Sequence, residues 1–229
     1  IMGNGGADGF RFNATTNAAA LTTLEVYGHL APGTAGPAED NAGDVFEINA
    51  TLDGVQTNAF GQGGDDLFHN IGFGPFFSGV RHFDDFAGNL SVDGGADSDT
   101  FGFIDVSSVN GADTATLTNA SLTGASVGTI AYSALETFFY EMTQNDDVLD
   151  VLSTQTGTSY LLTGDGGSDT ISIGNLTANF SVNANGSLAS NGGSLDAILG
   201  PITVMPDEAN GANGDDDILN IDDSGTAGL

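Results

Sequence analysis

The chain has 229 residues, 31 Asp and Glu against 2 Lys and Arg, a formal net charge of −29 and no cysteine. That charge makes nucleic acid and anionic membrane surfaces poor partners and cations natural ones, and the missing thiols exclude disulfides and thiolate metal sites. A hydrophobic fraction of 39%, including 15 Phe, argues for a buried core over a disordered acidic chain, and no run reaches the ~18 apolar residues that crossing a bilayer requires.

Read from the first residue, a phrase keeps returning: a glycine-rich run, an Asp, one spacer and a large apolar residue. It reads GNGGADGF at Gly3–Phe10, GQGGDDLF at Gly61–Phe68, GGADSDTF at Gly94–Phe101, GDGGSDTI at Gly164–Ile171 and GANGDDDI at Gly211–Ile218. Shorter copies end at Phe46 and Leu149. The closing residues are separated by 36, 22, 33, 48, 22 and 47 positions, and four of these gaps are one or two units of about 22–24, the period of a stacked repeat. Each of the gaps of 36 and 33 contains a predicted loop insertion, residues 28–41 and 72–89. Loops that leave a stacked core do not disturb its register. The two long gaps are expected to conceal a degenerate turn, one in SLTGASVG around Ala125 and one in NGGSL at Asn191–Leu195.

The segments FRFN, VFEIN, TFGFIDV, VLDVL, TISI and ILNID alternate apolar and polar residues between Gly, Asn and Asp clusters, which predicts short strands joined by tight turns. ALETFFYEM at Ala134–Met142 reads as a strand or as the one helix. Together these features predict an all-β chain, a right-handed parallel β-helix (β-solenoid) with coils of about 22–24 residues, spanning 1–229 as one domain. The chain opens at Ile1 and carries a phrase close to each end. It therefore reads as a processed chain, or as a segment of a longer array, whose uncapped ends stack on neighbours.

The phrases resemble the haemolysin-type calcium-binding repeat, G-G-x-G-x-D-x-U-x with U a large apolar residue, found in long repetitive microbial surface and secreted proteins. The resemblance implies that the sixth-place Asp and carbonyls of the glycine turn coordinate calcium while U points inward. The residues it points to are Asp8, Asp44, Asp66, Asp97, Asp99, Asp147, Asp169 and Asp216. Calcium takes six to eight oxygen ligands, and a turn rich in Gly, Asn and Asp offers carbonyls beside a carboxylate. The pairs Asp44/Asp66 and Asp147/Asp169 lie one period apart and are expected to share an ion. The competing reading is an Asx-type turn, in which the Asp accepts backbone N–H groups without metal. In the family the phrase repeats in direct tandem, whereas here it marks one corner of a larger coil.

Enzyme chemistry has little footing. Arg11, between Phe10 and Phe12, reads as a surface residue. Arg81, beside His82, Asp84 and Asp85, is the one place of mixed acid, base and aromatic chemistry, and Phe76, Phe77, Arg81, His82 and Phe83 read as an interaction loop that packs on the wall or on another molecule. His29 and His69 have no neighbouring His, and no nucleophile elbow or phosphate loop is present. Asn-x-Ser/Thr sequons, among them those at Asn13, Asn49, Asn89, Asn119, Asn175 and Asn185, are in several cases expected by chance in such a composition. The sequence therefore leads to an extracellular or cell-surface structural protein. It would be stabilised by calcium and self-associate end to end as a filament subunit, or form part of a fibrous adhesin with a carbohydrate target. A carbohydrate-binding or polysaccharide-cleaving β-helix is the alternative.

Overall fold

The computed structural model describes residues 1–3, 6–12, 21–29, 41–70, 85–105, 112–124, 128–175, 181–182, 188–189, 192–205 and 216–225. These residues are almost entirely β. In chain order the strands are β1 (Gly9–Phe12), β2 (Thr23–Tyr27), β3 (Val45–Ile48), β4 (Gln56–Gly63), β5 (Leu67–His69), β6 (Asn89–Ala96), β7 (Thr100–Ile104), β8 (Thr114–Leu117), β9 (Ser121–Gly124), β10 (Ile130–Ser133), β11 (Thr137–Glu141), β12 (Val148–Val151), β13 (Ser159–Thr163), β14 (Thr170–Ile173), β15 (Ser181–Val182), β16 (Leu188–Ala189), β17 (Ile202–Met205) and β18 (Ile218–Ile221).

Successive strands alternate between two sheets, apart from the runs β8–β10 and β14–β16. One sheet runs β1-β3-β5-β7-β11-β13-β17, and the other runs β18-β14-β12-β8-β9-β10-β6-β4-β2. Neither sheet closes on itself. The first is parallel throughout, and the second is parallel except at β9, which runs antiparallel to both β8 and β10. β15 and β16 form a separate antiparallel pair.

Strict register builds the core. Phe10, Phe46, Phe68, Phe101, Phe138 and Tyr160 are paired in sequence across the seven-stranded sheet. Successive side chains of a strand point to opposite faces, so this pairing puts all of these rings on the inner face. The rings of Phe10, Phe46 and Phe68 stack at centroid separations of 5.0 and 4.5 Å, close to the spacing of neighbouring strands. Ala115, Leu149, Ile171 and Leu219 form the matching row of the other sheet. The two inner faces meet where Tyr132 of β10 packs on Phe138 of β11, 4.8 Å between centroids, and the buried residues of both sheets form one apolar cluster.

The described strands bear on two of the expectations. Ala125, around which a degenerate turn is expected, lies outside the described residues, and Ser121–Gly124 ahead of it is β9, folded back on β8 through a turn in which Thr118 Oγ1 accepts the Ser121 amide at 3.0 Å. Leu117, Leu122 and Ile130 are fully buried, so a three-strand excursion fits the apolar pattern as well as another coil would. The alternation of Ala134–Met142 resolves as strand, not helix, with Phe138 and Tyr140 of β11 facing the core and Phe139 facing outward.

Of the predicted insertion 28–41, residues 30–40 lie outside the described residues. Of the predicted insertion 72–89, residues 72–84 do. Residues 85–89 belong to the wall, because Phe86 is buried against Phe103, Thr51 and Gly88 exchange hydrogen bonds, and Asn89 opens β6.

Candidate functional site

The geometry of the phrase accounts for its glycines. A Cβ on the first-place glycine would overlap the Asp oxygen of the same phrase, as Gly3 with Asp8, Gly61 with Asp66, Gly94 with Asp99 and Gly164 with Asp169. Gly28 meets Asp44 in the same way, although residues 30–40 intervene. The fourth place is left-handed, with φ of 84° at Gly6, 109° at Gly64 and 94° at Gly167, a conformation open to glycine at little cost. Asp97 holds that place at φ 82°, and Asp is among the few other residues that tolerate it.

Asp44, Asp66, Asp99, Asp147 and Asp169 each stand just before a strand and accept the backbone N–H of a counterpart on the neighbouring strand. In the seven-stranded sheet the Asp8 amide donates to Asp44 Oδ1 at 2.7 Å, Asp44 to Asp66 Oδ1 at 2.6 Å, Asp66 to Asp99 Oδ1 at 2.8 Å and Asp99 to Glu136 Oε2 at 2.7 Å. A second row lies in the nine-stranded sheet, where Asp113 donates to Asp147 Oδ1 at 2.7 Å, Asp147 to Asp169 Oδ1 at 2.8 Å and Asp169 to Asp217 Oδ1 at 3.0 Å. The phrase thus changes sheets midway along the chain, at the β8–β10 excursion. The expected neighbours Asp44/Asp66 and Asp147/Asp169 are brought together, but through an amide.

Asp216 is not a rung. Pairing of Thr170 with Ile218 and Ile171 with Leu219 puts Asp217 in register with Asp169, and the Asp216 amide faces Ser168 Oγ at 3.3 Å. Asp97 stands outside the row and its Oδ2 accepts the Gly64 amide at 3.3 Å. Rungs that the phrase did not reveal are Asp113, Glu136 and Asp217. All three keep the acid, spacer, apolar order in Asp113-Thr-Ala, Glu136-Thr-Phe and Asp217-Ile-Leu, so a search that relaxed the glycines and admitted Glu would have found them.

The second carboxylate oxygen differs from rung to rung. Asp147 Oδ2 accepts from the Thr143 amide at 2.7 Å and from its hydroxyl at 2.6 Å. Asp99 and Asp169 are 0% and 2% exposed, and their Oδ2 atoms have no hydrogen-bond partner. Burial, which disfavours the charged form, is the main cause that pushes Asp99 up to about 6 and Asp169 up to about 7, against the opposing pull of the amide each accepts. Glu136, Asp65 and Asp97 add to the rise at Asp99, and Asp147, Asp217 and Asp146 add to it at Asp169.

Calcium fits these rows poorly. One oxygen of each acceptor Asp is engaged by an amide, and the Oδ2 of Asp8, Asp44, Asp66, Asp99 and Asp169 is packed on a glycine of the wall. Asp169 and Asp217 also border a cavity of about 270 Å³ whose other walls are Gly164, Ile171, Val204, Met205, Ile218 and Leu219, too few oxygens for an ion that needs six or more.

Arg11 lies on the outer face and pairs with Glu47 at 2.6 Å. His29 and His69 are buried. The proposed contact residues Phe76, Phe77, Arg81, His82 and Phe83 lie outside the described residues. No family model, curated protein or solved structure matches the chain.

Proposed function

We propose that this is a structural protein, a right-handed β-solenoid that continues end to end as a filament subunit or as a segment of a fibrous surface protein outside the cell. The observation that carries the reading is the state of the β17/β18 end. Leu219 occupies the inner row of Leu149 and Ile171, yet it is 50% exposed where Leu149 is fully buried. Ile218, Ile221 and Met205 are exposed beside it. A parallel edge with an uncovered apolar row is a template for further strands. The opposite ends of the same two sheets are β1 and β2, with Ile1–Gly3 paired alongside Tyr27 of β2. A head-to-tail contact of this type is heterologous and propagates into an open array. Core formation and amide ladders account for the repeated apolar and acidic residues of the strands, which supports a structural role.

Electron microscopy and sedimentation velocity over a concentration series test this reading. Particles that lengthen along one axis with concentration are expected, and Leu219→Glu shortens them. Compact monomers alone at every concentration would overturn it.

A further inference from the structure

We infer that the repeated aspartates join layer to layer as acceptors for backbone amides and not as calcium ligands, so that neither row needs bound metal. Three features carry this. First, seven bonds of 2.6–3.0 Å repeat one geometry along two separate rows. An ionised acceptor strengthens such a bond, and the amides it satisfies lie at strand entrances where no ladder partner is in place. Second, Glu136 closes the first row at 2.7 Å. A longer side chain serves there because the place needs one acceptor oxygen and sets no coordination geometry. Third, the first-place glycine lets the carboxylate lie flat against the wall, with its Cα–H groups facing oxygen, a weakly favourable contact. A calcium ligand has to turn that oxygen toward an open site shared with several others.

The outer carboxylates repeat the device one step away: Asp65 Oδ1 accepts the Ser98 amide at 3.0 Å and Asp146 Oδ1 accepts the Ser168 amide at 2.8 Å. The same bond thus joins partners from 22 to 48 positions apart in the chain.

The test is thermal unfolding followed by circular dichroism in chelator, in millimolar calcium and in matched magnesium, for wild type, Asp66→Asn, Asp169→Asn and Asp66→Ala. Asn keeps the acceptor oxygen and removes the charge; Ala removes both. The inference expects equal wild-type melting in calcium and magnesium, folded Asn variants with the same metal response, and a loss of several degrees in Asp66→Ala. A calcium-specific rise that both Asn variants retain also supports it, since the ions then bind away from the rungs. A calcium-specific rise that both Asn variants lose overturns it. So does failure of both Asn variants to fold in every buffer, because the charge itself is then required.

Discussion

Asp99 and Asp169 are the rungs whose burden is least relieved, and stability should register it as a pH dependence. Their folded pKa values of about 6 and about 7 stand above the ordinary 3.8, so the folded chain binds these protons more tightly than the unfolded one. Stability from this source is complete below the unfolded pKa and is lost as pH rises through the folded values. The melting temperature is therefore expected to fall between about pH 5 and pH 8. Self-repulsion of the whole anionic chain acts in the same direction, and the Asp99→Asn/Asp169→Asn double variant separates the two. Its slope over this range should be shallower than that of wild type and its advantage greatest at pH 8; an unchanged slope would assign the effect to net charge alone. Asp147 marks the contrast, because Thr143 supplies two donors to the oxygen that Asp99 and Asp169 leave bare.

At the scale of elements, what could be read from the sequence depended on the size of the inward residues. The strands β1, β3, β7, β12, β14 and β18 carry Phe, Ile, Leu or Val at alternate places and stand out in the sequence. β4 does not: its buried positions are Thr57, Ala59, Gly61 and Gly63, too small to mark a period. The eight-residue strands β4 and β6 also absorb the first glycines of the phrase, so that what reads as a turn begins as strand. Nor did spacing reveal that the phrase serves two sheets, since one acid, spacer, apolar order suits any strand entrance. The side chains that are large carry the energy. Phe46 is fully buried between Phe10 and Phe68, and Phe46→Ala removes both ring contacts and opens a cavity, a change that costs about 3–5 kcal/mol in well-packed cores. Urea unfolding should show the midpoint falling accordingly, and Phe46→Leu should recover much of the loss. A Phe46→Ala midpoint equal to that of wild type would mean that the ring row contributes little beyond shape. The same reasoning places β9 among the supporting elements, since Leu122 is as deeply buried as Leu149 although its strand runs the other way.

For the whole molecule, the decisive quantity is a net charge of −29 with 2 basic residues. Repulsion of this size opposes compaction, and so few cations leave almost no attractive pairs for salt to weaken. Raising sodium chloride should therefore raise the melting temperature. Most of the gain is expected by about 0.15 M, where the Debye length has shrunk to about 8 Å and charges farther apart than that are largely screened. End-to-end contact between two such bodies brings like charges together while it covers Leu219, Ile218 and Ile221, so elongation should follow the same salt dependence and begin only where screening leaves the apolar term of about 25 cal/mol per Å² in control. Melting curves and sedimentation across one sodium chloride series measure both. Stability that rises with salt while particle length stays constant would separate the folding of the stack from its assembly and count against the filament. Stability that falls with salt would show that attractive pairs, and not repulsion, dominate the surface.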